Sequence, residues 1–293
     1  MLKGVITPLI KNLIMKTFKK RTVQLAFKIA FSALMAVCVV TSCKKSSDIK
    51  DDDELDTLGG FNNYIPKLGF IYAYKHTSAN GEVATIYRSN QGIKDSIGIK
   101  VSDIRSTFVY KGQELHMRNK MYNLGGFTIT TAYNVDEWDR YVKTLKQNIE
   151  SSGGVVLENT ITGIPFNLLM DNNPKVGSDL TFTGGPTRFH FKAIVGTGDQ
   201  AMEVETKQTI TRHNGKAIKQ ETLNLSFGKF DCTVWQYQVD NKVETYMGGN
   251  LVNVLNTTDK IQTWTKPGFG EIQTVAENSK TGISVTELIS IGK

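Results

Sequence analysis

Apolar and polar residues alternate with a period of two through most of the chain beyond residue 61, the mark of strands with one covered face. The stretches "LGFIYAYKH" (68–76) and "EVATIYRS" (82–89) alternate in this way, and Asn80-Gly81 between them supplies a hairpin turn. "STFVYK" and "ELHMRNKMY" flank Lys111-Gly112-Gln113, and "GFTITTAY" follows Gly125. "AMEVETKQTITRH" and "KAIKQETLNLSF" meet at Asn214-Gly215, the strongest hairpin signal in the chain. "FDCTVWQYQV", "KIQTWT", "EIQTVAEN" and "ISVTELISI" complete a set of about twelve to fourteen strands. The connections are short, so the pattern predicts antiparallel pairing.

One segment changes period. "NVDEWDRYVKTLKQNIESSGG" places Trp138, Tyr141, Val142, Leu145 and Ile149 at helical spacing. Asn134 with Glu137 forms a capping box, and Gly153-Gly154 closes the far end. The fold class is therefore mostly β, a β-rich α+β domain of curved antiparallel sheets with one main amphipathic helix near 135–151. The helix is expected to cover an open sheet face, with a lid over a ligand cavity as the sharper alternative. It also divides the β-rich domain 61–293 into 61–153 and 154–293, a candidate junction between two sheets.

Charge changes the picture at the N-terminal end. The formal net charge is +7, which would suit a nucleic-acid partner. Residues 1–42 carry seven Lys or Arg and no acid, however, and from Cys43 onward basic and acidic residues balance at 28 each. The domain has no global field to steer a polyanion, so no nucleic-acid partner is expected. Lys16, Lys19, Lys20 and Arg21 precede the apolar stretch Ile29 to Val40, which is too short for a permanent span of about 20 residues and suits a signal peptide. Met15 opens a more ordinary leader than Met1 does. "VVTSC" (39–43) then resembles a bacterial lipoprotein box, in which the cysteine is acylated and becomes the first mature residue. The alternative is an ordinary secretory leader that contains a cysteine. Acylation of Cys43 would tie the protein to the membrane at roughly 0.8 kcal/mol per buried CH₂.

The expected organisation is thus a signal peptide at 1–42, an acylated cysteine with an acidic tether at 43–60, and the β-rich domain. The tether "KKSSDIKDDDELDTLGG" has too few large apolar groups to build a core. Its acids resemble the export signal of surface lipoproteins of the Bacteroidetes, which implies an outer-membrane lipoprotein displayed at the cell surface. Cys38 lies in the leader, so Cys232 is left without a disulfide partner, and its alternating context predicts burial.

Candidate chemistry is sparse. His76, His116, His190 and His213 have no metal-ligand spacing, so no metal and no cofactor is expected. His190 shares a strand face with Arg188 and Lys192, a basic stripe or simply a wet face. Glu203 and Glu205, the nearest acid pair, alternate with Met202 and Val204 and read as a solvated face rather than a glycosidase pair. No catalytic motif occurs, so the protein is expected not to be an enzyme, with a hydrolase left open. Tyr72, Tyr74, Trp235, Tyr237 and Trp264 lie in strands; Trp235, Tyr237 and Trp264 are the candidate binding residues for a sugar or lipid, with core packing as the default. Asp56-Thr57-Leu58 and Asp95-Ser96-Ile97 resemble the Asp-Ser/Thr-apolar acceptor of Bacteroidetes O-glycosylation, which makes Thr57 and Ser96 candidate modification sites.

The C-terminal part resembles a known family. Gly228, Phe230, Asp231 and Cys232, then Trp264, Pro267, Gly268 and Gly270, then Glu287 and Leu288 are similar to the pattern of the TapB-like bacterial envelope proteins. The resemblance covers about 65 residues, with Thr265 and Lys266 departing from it. It implies a half-barrel of the lipoprotein-carrier kind, in which a curved sheet wraps a helix and holds acyl chains. Three roles follow as expectations: a non-enzymatic lipid-anchored binding or interaction module, a carrier or sensor of lipid or another amphiphile, and a glycan-binding or glycan-processing surface protein. The corresponding partners are a lipid, a glycan or an envelope protein.

Overall fold

The structure, a computed structural model, describes residues 63–132 and 135–293. The leader, Cys43, the tether with Thr57, and Asn134 of the capping box lie outside the described residues. The strands are β1 Ile71–Thr77, β2 Val83–Ser96, β3 Ile99–Tyr110, β4 Gln113–Leu124, β5 Phe127–Ala132, β6 Val155–Thr162, β7 Phe166–Asp171, β8 Asp179–Thr183, β9 Thr187–Val195, β10 Met202–Leu225, β11 Gly228–Met247, β12 Asn250–Lys266, β13 Gly270–Asn278 and β14 Gly282–Gly292. The helix α1, Val135–Ser151, lies between β5 and β6.

All these strands belong to one 14-stranded sheet, and every strand pair in it is antiparallel. The expected division into two sheets is corrected: β5 pairs with β7 and β1 with β14, so 61–153 and 154–293 are stitched together twice. The half-barrel is corrected as well. β10 pairs with both β11 and β8, which closes a ring of β10, β11, β12, β13, β14, β1, β2, β3, β4, β5, β7 and β8. The result is a closed 12-stranded barrel, with β9 and β6 continuing outward from the first half of β10. Closure leaves no edge inside the ring for another chain to pair with.

Several local signals resolve as read. Asn80-Gly81 lies in the β1–β2 hairpin, with Gly81 at φ 83° and its N–H donating to the Ser78 carbonyl. Lys111 and Gly112, both at positive φ, form the two-residue turn between Tyr110 and Gln113. Asn214-Gly215 does not turn. β10 runs straight through it, and the dipeptide forms a bulge between His213 and Lys216. Gly215 is needed there for close approach, since a Cβ would sit 2.1 Å from the Gln236 carbonyl oxygen. The chain turns instead at 226–227, between Leu225 and Gly228.

The helix covers a sheet face. Ile149 packs with Phe191 and Ala193, backed by Leu145 and Val156, on the β6–β9 extension. Gly154 N–H donates to the Ile149 carbonyl and Gly153 N–H to that of Glu150, which closes the C-terminal end. Cys232 is buried, its thiol directed at the Phe230 carbonyl, and burial pushes its pKa up to about 12.

Candidate functional site

Residues 63–67 close one end of the barrel. Tyr64 N–H donates to Thr128 Oγ1 on β5, while the Asn63 carbonyl accepts from Gly268 N–H before β13. β5 and β13 stand half a circumference apart in the ring. Consecutive Cα atoms are separated by only about 3.8 Å, so opposite walls meet across this segment. The Pro66 carbonyl then accepts from Asn90 on β2, and Lys67 N–H donates to the Tyr72 hydroxyl on β1. Gly270, at φ 81°, permits the approach, because a Cβ there would lie 2.8 Å from the Tyr64 carbonyl oxygen.

Beside this plug the lumen holds a cavity of about 240 Å³. Its walls are built by alternation, since each strand sends every second residue inward. Trp235 and Tyr237 come from one face of β11, Thr263 and Thr265 from β12, Glu271 and Thr274 from β13, Arg88 from β2 and Asn119 from β4. Leu168, Met170 and Leu180 make the wall on β7 and β8, and they pack with Tyr64, Trp235 and Tyr237.

The charged centre is an ion pair. Arg88 Nη1 and Nη2 both lie 3.1 Å from Glu271 Oε2. The two residues sit on β2 and β13, so the pair bridges over β1 and β14. The guanidinium stacks 5.0 Å above the Tyr74 ring, and the Tyr74 hydroxyl donates to the Glu271 carbonyl. About a quarter of the Arg88 side chain stays accessible, and Arg88 lines the cavity. Burial alone would lower the arginine pKa; Tyr74 and Glu271 hold it above the ordinary value. Burial pushes the Tyr237 phenol up to about 12, and the Glu271 carboxylate adds to the effect. Burial raises Tyr64 as well. The Tyr64 hydroxyl lies beside Thr265 yet makes no hydrogen bond of sound geometry.

The aromatic candidates separate. Trp235 has no exposed surface and donates from Nε1 to Thr265 Oγ1 at 2.8 Å; Tyr237 is half-buried and faces the cavity. Trp264 is 7% exposed and belongs to a different cluster, with Val234 and Cys232; its indole donates to the Glu221 carboxylate. The three do not form one exposed binding face. Tyr72 and Tyr74 are buried. Ser96 is exposed at the β2–β3 turn, where Asp95 accepts from Gly98 N–H and Ile97 is fully exposed. His190 sits between Glu158 (2.8 Å) and Glu205 (2.6 Å), and Lys192 pairs with Glu203, so two of the three members of the basic stripe face acids across strands. Arg88, Glu271, Tyr64 and Asn119 were missed by sequence reasoning. One signal pointed to Arg88: it shares a strand face with buried Ala84 and Ile86, where a charge breaks the apolar phase.

No family model and no curated protein matches the chain. Among solved structures it is similar to a candidate lipoprotein from Parabacteroides distasonis, with 15% identity, a TM-score of 0.50, and coverage of 79% of this chain and 98% of that one. It is also similar to a candidate exported protein with a YmcC-like fold from Bacteroides fragilis, at 15% identity and TM-score 0.43, covering 80% and 99% of the two chains. A third similarity, to the hypothetical lipoprotein YmcC of Escherichia coli, has 11% identity and TM-score 0.21 over 83% and 99%. The first of these establishes a shared mostly β fold.

Proposed function

We propose that this protein is a non-enzymatic envelope lipoprotein, anchored through Cys43 in the outer membrane, whose barrel lumen binds a small polar molecule. The carrying observation is the lumenal cavity beside the Arg88–Glu271 pair, lined by residues of β2 to β5, β7, β8 and β11 to β13 and plugged at one end. Concave, mostly enclosed sites with a few placed polar groups are the usual form of a small-molecule site. The lumenal groups favour binding over catalysis: Tyr237 is pushed to about 12, far from a useful acid or base at neutral pH, and Glu271 is held in its ion pair. The lipoprotein reading is supported by the "VVTSC" sequence and by the fold shared with the Parabacteroides distasonis candidate lipoprotein. Kinship with the TapB-like proteins is part of the same proposal and rests on the C-terminal motifs.

An acyl-chain carrier is the weaker reading. A chain laid in this cavity would cover Arg88, Glu271 and Asn119 without hydrogen-bonding them. Two measurements test the proposal. Radiolabelled palmitate should enter the wild-type protein and not Cys43→Ser, and the variant should leave the envelope fraction. Native mass spectrometry of protein taken from its own envelope should show a retained small molecule; a long-chain lipid there would replace this reading with the carrier.

A further inference from the structure

Resting on the lumenal reading, we infer that the cavity takes a neutral polyhydroxylated ring, of the monosaccharide or cyclitol class, laid against Tyr237 and hydrogen-bonded by Arg88, Glu271 and Asn119. Charge is the first argument. Arg88 and Glu271 are the charged residues of the lining, and they cancel each other at 3.1 Å. A charged guest would have to break that pair or enter without a counter-charge, both unfavourable in a desolvated site. A neutral guest leaves the pair intact and uses its outward lone pairs and N–H groups.

Unspent hydrogen-bonding capacity is the second. The Tyr64 hydroxyl is buried to 1% exposure and makes no hydrogen bond of sound geometry. Arg88 Nη1 and Nη2 both donate to Glu271 Oε2 and Nε to Ser106 Oγ, so Glu271 Oε1 takes none of the guanidinium contacts. Asn119 and Thr130, both half-buried, also line the space. This set contains acceptors, donors and groups that are both, spread over β2, β4, β5 and β13. Hydroxyls donate and accept at once, so a ring carrying several of them satisfies such a set from one position.

Shape is the third. Tyr237 presents an aromatic face held by Phe182, with ring centroids 5.3 Å apart, while Trp235 backs the same wall with no exposed surface. The C–H face of a sugar ring suits an aromatic surface, and its hydroxyl rim suits the opposite polar wall. At about 240 Å³ the cavity lies just under the roughly 300–1,000 Å³ of drug-sized sites, which suits a single ring.

Saturation-transfer NMR on the full mature protein in detergent tests this. The neutral probes are glucose, galactose, mannose, N-acetylglucosamine and myo-inositol; glycine, glutamate and palmitate represent the other classes. At least one neutral ring should give a saturable signal, weakened about tenfold or more in Tyr237→Leu and in Asn119→Ala, and unchanged in Trp264→Phe. Asn119→Ala, at a half-buried position, serves if Tyr237→Leu does not fold. Binding that survives both lumenal variants, or signals confined to amino acids or palmitate, would overturn the inference. So would silence from every ring probe. A small molecule retained in the native mass spectrum would then keep the lumenal reading alive with another ligand, and an empty spectrum would end both.

Discussion

Two seams close the barrel, and they are built to different strengths. At β1–β14 the two ends of the domain zip together from Ile71↔Gly292 to Thr77↔Val285. The Arg88–Glu271 pair then straddles the seam, and the Tyr74 hydroxyl fastens it from below. At β8–β10 the ladder consists of Gly215↔Leu180 and Lys216↔Asp179. Short supplements help: Ala217 exchanges backbone bonds with Gly177 and Ser178, and Asn214 Oδ1 accepts from Phe182 N–H. The difference between the seams follows from the bulge in β10. Its first half pairs with β9 from Ile210↔Thr187 to Met202↔Val195, and only by shifting register at Asn214-Gly215 can it leave β9 and meet β8.

The largest expected effect strikes the strong seam. Arg88→Ala leaves Glu271 charged in the interior and should cost about 3–5 kcal/mol in urea unfolding; replacing both residues by Met should recover much of that loss. If Arg88→Ala proved neutral, the pair would not be bracing β2 to β13. Gly215→Ala attacks the weak seam by forcing a Cβ against the Gln236 carbonyl, at an expected cost of about 2–3 kcal/mol. A wild-type midpoint would mean that β11 does not approach as described.

A third test uses the wall of β11 itself. The folded Cys232 thiol is pushed up to about 12 by burial, while an unfolded thiol titrates near about 8.5. The folded state therefore keeps its proton longer. The stability this provides is complete below about pH 8.5 and is lost as pH rises toward about 12, at up to about 1.4 kcal/mol per pH unit. Iodoacetamide at pH 8 should leave the native thiol unmodified and label it in urea; rapid native labelling would contradict its burial. Asn214→Ala should cost about 0.5–1.5 kcal/mol and speed amide exchange in β8 without touching β1. Smallest of all, Glu203→Ala on the outer face of the extension should change stability by less than about 1 kcal/mol, because its pair with Lys192 is solvated.

Much of the fold was legible, and the exceptions have physical reasons. Alternation located most strands, though not β6, β7 or β8, and the change to helical spacing located α1 with its glycine stop. Asn214-Gly215 misled because the same dipeptide that makes a two-residue turn also makes a bulge; which one forms depends on the partner strands, not on local preference. Closure was hidden for a similar reason: the pairs that make a ring of a half-barrel join residues far apart, such as Leu180 with Gly215. Of the site, Trp235 and Tyr237 were picked out by their aromatic alternation. Glu271 was masked by the bulge between Trp264 and Thr265, which shifts β13 out of simple phase.

Native-state hydrogen exchange across the two seams tests the closed barrel most directly. Amides of Gly177 and Ala217, which bond across the β8–β10 seam, should be protected in the folded protein, opening before those of Tyr72, Tyr74 and Leu288 but far more slowly than in an unfolded chain. Exchange of Gly177 and Ala217 at the unfolded rate, with β1 and β14 still protected, would mean an open sheet rather than a closed barrel.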